Sequence, residues 1–249
     1  MSKEEITINS EKEFSFNPQT HTYKLGGVKM TGVTTVLGII AKPMLVPWAA
    51  NMAVDYIKEH SVVEKSGRKN LYIATTEVLE EARKSHQRKK EARGAEGHDT
   101  HKIIEEIIKQ AIEFSDGYIQ RPSFETTPQV SKFIDWAITE KAQFTVSEQV
   151  MYHPEWFVGG TADFVVRIKG HLYVGDIKTQ KKIWDRVPFF QMAAYRKMLE
   201  HMGNKNFHGS IIVHLPVEGE LEAHYSLDYE SDLIGFTAAL TLYRQLKNY

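Results

Sequence analysis

Gly160-Thr161-Ala162-Asp163-Phe164-Val165-Val166-Arg167-Ile168-Lys169-Gly170-His171-Leu172-Tyr173-Val174-Gly175-Asp176-Ile177-Lys178-Thr179 is the stretch whose reading decides the fold. Two apolar runs flank the turn dipeptide Lys169-Gly170, which predicts a β-hairpin of strands 157–167 and 171–179. Two carboxylates, Asp163 and Asp176, interrupt those runs, and Lys178 follows the second. With the turn at Lys169-Gly170, Asp163 faces Asp176 and Thr161 faces Lys178. Directly opposed side chains stand about 4.5–5.5 Å apart at Cβ. Side chains alternate along a strand, so Asp176 and Lys178 share a face.

Working outward, His153-Pro154-Glu155-Trp156 reads as a four-residue turn, preceded by a strand over 143–152. That pairing sets Glu148 opposite Thr161, so one face of three strands carries Glu148, Asp163, Asp176 and Lys178. Opposed carboxylates repel, and burial sharpens the repulsion. Either one takes up a proton or a divalent cation binds between them, because Lys178 neutralises only one charge. Hard oxygen ligands suit Mg²⁺ or Mn²⁺. The plainer reading puts both aspartates at a solvated sheet edge, with Lys178 in a surface ion pair of little energetic weight. The apolar neighbours Phe164, Val165, Val166, Val174 and Ile177 favour a strand covered on both faces.

The rest of the chain supplies the covering layers. Residues 13–36 read as a small hairpin feeding a helix, with Asn17-Pro18 and Gly26-Gly27 as turns. Helical periodicity runs over 46–59, where Trp48, Met52, Tyr56 and Ile57 share a side. Residues 76–114 predict helix with a break or kink near Gly94 and Gly97, and another helix covers 128–141. Beyond the hairpin come a helix over 187–202, strands near 208–215 and 221–227, and a final helix over 229–247. This order predicts an α/β fold, a central mixed sheet with helices on both faces. The 249 residues are enough for a buried core. The chain has no cysteine, which excludes disulfides and iron–sulfur clusters. Its opening residues carry no apolar signal region, and no run is long enough to span a bilayer, so a cytoplasmic protein without a membrane partner is expected. Net charge is −1, so a nucleic-acid surface would need its cations gathered locally. The segment Arg83-Lys84-Ser85-His86-Gln87-Arg88-Lys89-Lys90-Glu91-Ala92-Arg93 is the one that qualifies, although by itself it reads more simply as a solvated helix face.

Taken together, Gly160-Thr161-Ala162-Asp163 and Asp176-Ile177-Lys178-Thr179 resemble the active-site signature of the PD-(D/E)xK nuclease superfamily. Within it the chain looks like the RecB-like exonuclease branch, including phage-type enzymes. Gly97-His98-Asp99-Thr100-His101, followed by Glu105, resembles the Gly-x-x-x-His motif of that branch. Gln191-Met192-Ala193-Ala194-Tyr195 resembles its Gln-x-x-x-Tyr motif. Order and spacing agree over about residues 93–200, and the absence of cysteine points to members without an iron–sulfur cluster. No P-loop motif of a helicase is found.

The resemblance implies a restriction-endonuclease-like core within a single nuclease domain. Residues 1–92 would form an N-terminal hairpin and helical region, and 93–249 the catalytic core. It implies that Asp163, Asp176 and the Ile177 carbonyl hold the metal, with His101 a ligand or a neighbour of one. Lys178 would position or deprotonate the attacking water, or stabilise developing charge. Gln191 and Tyr195, on one helix face, would line the site and orient nucleic acid. Glu148 is either a further ligand, directly or through water, or a strand glutamate near solvent. Arg88, Lys89 and Lys90 are candidate phosphate contacts. The expected activity is metal-dependent hydrolysis of DNA, single- or double-stranded, from free ends. A structure-specific endonuclease of the same fold and a non-catalytic DNA-binding protein are the alternatives. RNA as substrate and the oligomeric state are left open.

Overall fold

The structure is a computed structural model that describes residues 6–8, 13–43, 45–67, 69–183, 185–204 and 206–247. The reading of residues 1–5 and of the Arg93 side chain lies outside the described residues. In chain order the strands and helices begin with β1 (Ile6–Ile8), β2 (Phe14–Asn17), β3 (Thr22–Leu25), β4 (Val28–Lys29), β5 (Thr31–Gly32) and α1 (Val33–Leu37). Then come α2 (Leu45–His60), β6 (Val62–Ser66), β7 (Lys69–Ile73), α3 (Thr76–Phe114) and α4 (Pro128–Thr139). A three-strand meander follows, β8 (Gln143–His153), β9 (Val158–Ile168) and β10 (His171–Lys178). The chain closes with α5 (Val187–His201), β11 (Phe207–His214), β12 (Glu222–Ser226) and α6 (Tyr229–Lys247). The class is α/β, with a mixed sheet flanked by helices.

The β9–β10 turn is the two-residue kind that matches strand twist, with Lys169 at φ 51° and Gly170 at φ 83°. Its register runs from His171 opposite Ile168 to Gly175 opposite Phe164, the pairing expected from the turn. The β8–β9 turn differs from expectation by one residue. His153 still pairs, with Val158, and the loop is 154–157, where Phe157 takes φ 48°. Pro154 has no N–H to give, so the ladder ends beside it rather than one residue earlier. Ser147 opposes Phe164 and Gln149 opposes Ala162, so Glu148 falls across from Asp163 instead of Thr161.

The main sheet has the order β12-β11-β10-β9-β5, with β8 on the other edge of β9. After α5, β11 returns parallel to β10, and β12 pairs antiparallel to β11. One apolar layer gathers α1, α5 and α6 on the sheet through Val36, Val158, Ala162, Val174, Met192, Met198, Ile212 and Phe236. The other packs α4 and the C-terminal turns of α3 through Ile104, Ile108, Phe133, Phe144, Phe164, Ile177 and Ile211. A third cluster, with Phe14, Tyr23, Val150 and Tyr152, joins β2–β3 to β8. Burying one such side chain fully is worth about 1.5–3 kcal/mol.

The chain divides into two units, one of Met1–Ile40 with Thr100–Tyr249 and one of Ala41–Asp99. The sequence reading draws its boundary at residue 92 instead; the first forty residues belong with the core because β5 pairs with β9 and α1 joins the α5 layer. In the second unit Trp48, Met52, Tyr56 and Ile57 form the half-buried stripe of α2. A β6–β7 hairpin, which the sequence reading does not anticipate, turns at Gly67 with φ 64°. Helix α3 is helical throughout, so of the break or kink expected at Gly94 and Gly97 a break is not found; two isolated glycines cost a helix only about 1 kcal/mol each.

Candidate functional site

On the edge of β9 away from β8, β5 pairs with Val158 and Gly159, and β10 pairs with residues 164–168. Among the described residues, positions 160–163 have no strand partner on that edge. Beyond Gly175 the two hairpin strands part, and β10 continues its parallel ladder with β11 out to Lys178. The Asp163 side chain bridges the gap, its Oδ2 accepting the Ile177 N–H at 2.8 Å. A carboxylate thus replaces one rung of the ladder.

The parting also resets side-chain alternation. Ala162 belongs to the α5 layer, yet Phe164, two residues on, belongs to the α4 layer. Opposite the reset, Glu148 takes φ 51°, a conformation that costs a non-glycine residue about 1–2 kcal/mol. The expected single face is therefore realised only in part. Asp176 and Lys178 share the α5 face with Val174, whereas Asp163 and Glu148 sit at the break.

Asp176 is 3% exposed. Lys178 Nζ lies 2.5 Å from Asp176 Oδ2 and 3.4 Å from Gln191 Oε1. Gln191 Nε2 donates to Asp176 Oδ1 at 3.3 Å and to the Tyr195 hydroxyl at 3.0 Å. His101, on α3, has Nδ1 3.4 Å from Asp163 Oδ2. The α5 motif can come this close because Gly160 has no side chain; a Cβ there would stand 2.5 Å from the Tyr195 ring. Gly159 likewise admits the Tyr23 ring, whose hydroxyl meets Thr161 Oγ1 at 2.9 Å. Tyr23 is absent from the sequence-predicted set. The signal for it is the Gly159-Gly160 pair, two adjacent strand glycines that imply close approach from both sides.

Burial raises the Asp176 carboxyl, Lys178 lowers it in part, and Asp163 raises it further. Burial opposes the charge on Lys178, but Asp176 and Asp163 outweigh it and hold the amine protonated. Burial also lowers His101, and the Asp163 hydrogen bond and charge, with that of Asp176, more than reverse this. Glu148 is pushed up to about 8 by burial, then by the charges of Asp163 and Glu105. The charge of Asp163 acts to raise all four of these groups.

Tyr195 and Gln191 are both buried; Tyr195 holds Gln191, and Gln191 ties Lys178 to Asp176. The Ile177 side chain is core, and its amide is engaged by Asp163. His101, Glu148, Asp163 and Asp176 do not form a closed cage: among the described residues, the group of three His, Asp or Glu whose ligand atoms all lie within 4.8 Å of one another is His214, Glu222 and His224. His98 is exposed. In the second unit Arg88 is paired with Glu81 and stacked over Tyr56 at 5.1 Å, while Lys89 and Lys90 are exposed.

One buried oxygen and its neighbours are of the donor type that a divalent cation takes. Asp176 Oδ2 is buried, and although Lys178 lies against it no well-directed hydrogen bond satisfies it. The surrounding donors, Asp163 and Glu148, are hard oxygens, the ligand type of Mg²⁺ and Mn²⁺. No cysteine is present to hold an iron–sulfur cluster. No helix among the described residues is long and apolar enough to cross a membrane. Compared with known proteins, the chain matches no family model and no curated sequence.

Proposed function

We propose that this chain is a metal-dependent deoxyribonuclease of PD-(D/E)xK type, an exonuclease acting on DNA ends. The observation that carries the reading is the convergence of Asp163, Asp176 and Lys178 where β9 and β10 part, with Gln191 tying the last two together. The finer fold reading, a restriction-endonuclease-like core, is supported by the β8–β10 meander followed by α5 and a β11 parallel to β10. The preference for ends follows the resemblance of the Gly-x-x-x-His and Gln-x-x-x-Tyr motifs to exonucleases.

Asp163 and Asp176 would hold Mg²⁺ or Mn²⁺, with Glu148, His101 and the Ile177 carbonyl as further candidates. When bound, such an ion supplies an acidified water and a counter-charge for the scissile phosphate. The protein's own part is electrostatic. Lys178 is held as the ammonium by its two aspartates, which favours stabilising phosphate charge over taking a proton from water. Gln191 limits where that ammonium can go. Without a metal, His101, kept cationic more readily by Asp163, would offset part of the carboxylate charge; to hold the ion it must give up that proton.

The test uses end-labelled linear DNA, single- and double-stranded, beside a covalently closed circle, each with Mg²⁺, Mn²⁺ or EDTA. Metal-dependent loss of linear DNA alone is expected. Lys178→Ala should lower the rate about 10²–10⁴-fold while circular dichroism stays that of the wild type. Cutting of the circle would replace the exonuclease with an endonuclease of the same site. DNA binding without cleavage under any metal would overturn the enzyme in favour of a binding protein.

A further inference from the structure

The edge strand β12 pairs antiparallel with β11, and the register sets Glu222 opposite His214 and His224 opposite Ile212. Alternate residues share a face, so His214, Glu222 and His224 stand together on one face of the pair. Glu222 Oε2 lies 3.8 Å from His214 Nδ1 and 3.1 Å from His224 Nε2. His214 is 6% exposed, and its Nε2 meets the Gln180 carbonyl oxygen at 2.7 Å. A carbonyl only accepts, so the proton is on Nε2, and Nδ1 turns a lone pair toward the cluster. That Nδ1 is buried with no hydrogen-bond partner, and so is His224 Nε2. An unsatisfied buried polar group costs about 1–3 kcal/mol. Two in one cluster ask for a common partner.

We propose that His214, Glu222 and His224 form a second metal site, selective for a transition-metal ion of the Zn²⁺ kind and separate from the carboxylate site. Two imidazoles and one carboxylate are a zinc-type donor set, whereas Mg²⁺ prefers oxygen alone. A ring N–H directed at a backbone carbonyl is the usual orienting contact behind a ligating histidine. The spacing suits the ion: ligands about 2.0–2.1 Å from a tetrahedral centre stand roughly 3.3–3.4 Å apart, between the two distances to Glu222. The Glu222 and His224 side chains are 63% and 39% exposed, which gives an entry path and leaves a fourth position to water. A bound ion would fasten the edge strand to β11. Through His214 and Gln180 it would also steady the segment that follows Lys178. The inference is independent of the nuclease reading.

The full chain, stripped with EDTA, is titrated with Co²⁺ and followed by visible absorption, then challenged with Zn²⁺. One Co²⁺ per chain is expected, with the intense bands of a low-symmetry site, displaced by Zn²⁺. His224→Ala and Glu222→Gln should each weaken Co²⁺ binding at least about tenfold, and both should fold without metal because both positions are on the exposed edge. Zn²⁺ should raise the thermal transition of the wild type but not of His224→Ala. Absence of both the bands and the thermal shift would overturn the site. So would binding that survives His224→Ala and is lost in Asp176→Asn, which would put the ion among the carboxylates.

Discussion

The β9–β10 hairpin has two differently built ends. At Lys169-Gly170 the strands obey the ordinary rules: a two-residue turn with both φ positive, then pairs in strict succession to Gly175 and Phe164. At the other end the ladder stops, a carboxylate takes the place of a backbone acceptor, alternation resets, and Glu148 adopts a left-handed conformation. The regular end holds the sheet together. The irregular end brings a buried aspartate, a second aspartate and a lysine within reach of one another. The cluster of charged side chains is assembled by interrupting a β-sheet at a defined point, and the hinge of that interruption is the Gly175–Phe164 pair.

The sharpest way to break the contrast is to disturb that hinge. A Cβ on Gly175 would come 1.9 Å from Phe164 Cε2, and Phe164 is fully buried, so its ring has nowhere to go. Gly175→Ala is expected to cost about 3 kcal/mol, at the upper end of overpacking effects, seen as a lower denaturant midpoint with unchanged slope. Adding Phe164→Leu should return about 1 kcal/mol, since the two positions share one space. Equal losses in the single and double variants would show that the hinge is not limited by this contact.

The sequence displayed the regular end and half of the irregular one. Lys169-Gly170 fixes a register, and the register predicts that Asp163 comes to Asp176 and that Asp176 and Lys178 share a face. Those inferences need only the turn and the period of two. The register that sets Glu148 opposite Thr161 fails because a turn containing proline can close in more than one way, and this one sits one residue further along the chain than expected. The reset between Ala162 and Phe164 was illegible for a deeper reason. Alternation rules assume an unbroken strand, and what breaks this one is a long-range hydrogen bond from Ile177 to Asp163. For Tyr195 the motif gives spacing but not depth, so a place lining the site and a place in the core beside Ala194 and Met198 are both open in sequence; its burial depends on the missing side chain of Gly160. His214, Glu222 and His224 went unnoticed because no local spacing joins residues on separate strands until β11 and β12 are paired.

A smaller effect tests the electrostatics of the irregular end. Burial, with Asp163 and Glu105, moves the Glu148 carboxyl from its ordinary 4.5 up to about 8. A folded-state value above the unfolded one favours the fold while the group is neutral. That contribution is fully present below about pH 4.5 and is lost as pH rises through about 8. Glu148→Gln keeps the neutral shape and removes the titration. In EDTA the variant should match the wild type near pH 4.5 and melt about 2–4 °C higher above pH 8. Parallel melting profiles across that window would show that Glu148 feels no excess of negative charge, and would weaken its candidacy as a ligand.

The smallest effect belongs to the regular end, where a substitution should act locally and leave the chemistry alone. Lys169 occupies the left-handed region at φ 51°, which strains a lysine but suits asparagine, whose short polar side chain tolerates that conformation. Its compensation is an ion pair with Glu140 at 2.9 Å, and the lysine side chain is 76% exposed, so solvent and salt leave that pair little weight. Lys169→Asn should therefore raise the melting temperature by about 1–2 °C, a turn improvement only partly offset by the lost pair. Cleavage rates should not change, because the turn reaches the site only through five intact rungs of ladder. A drop in activity without a drop in stability would mean that the two ends are mechanically coupled, and that the hinge at Gly175 does not isolate the site from the turn.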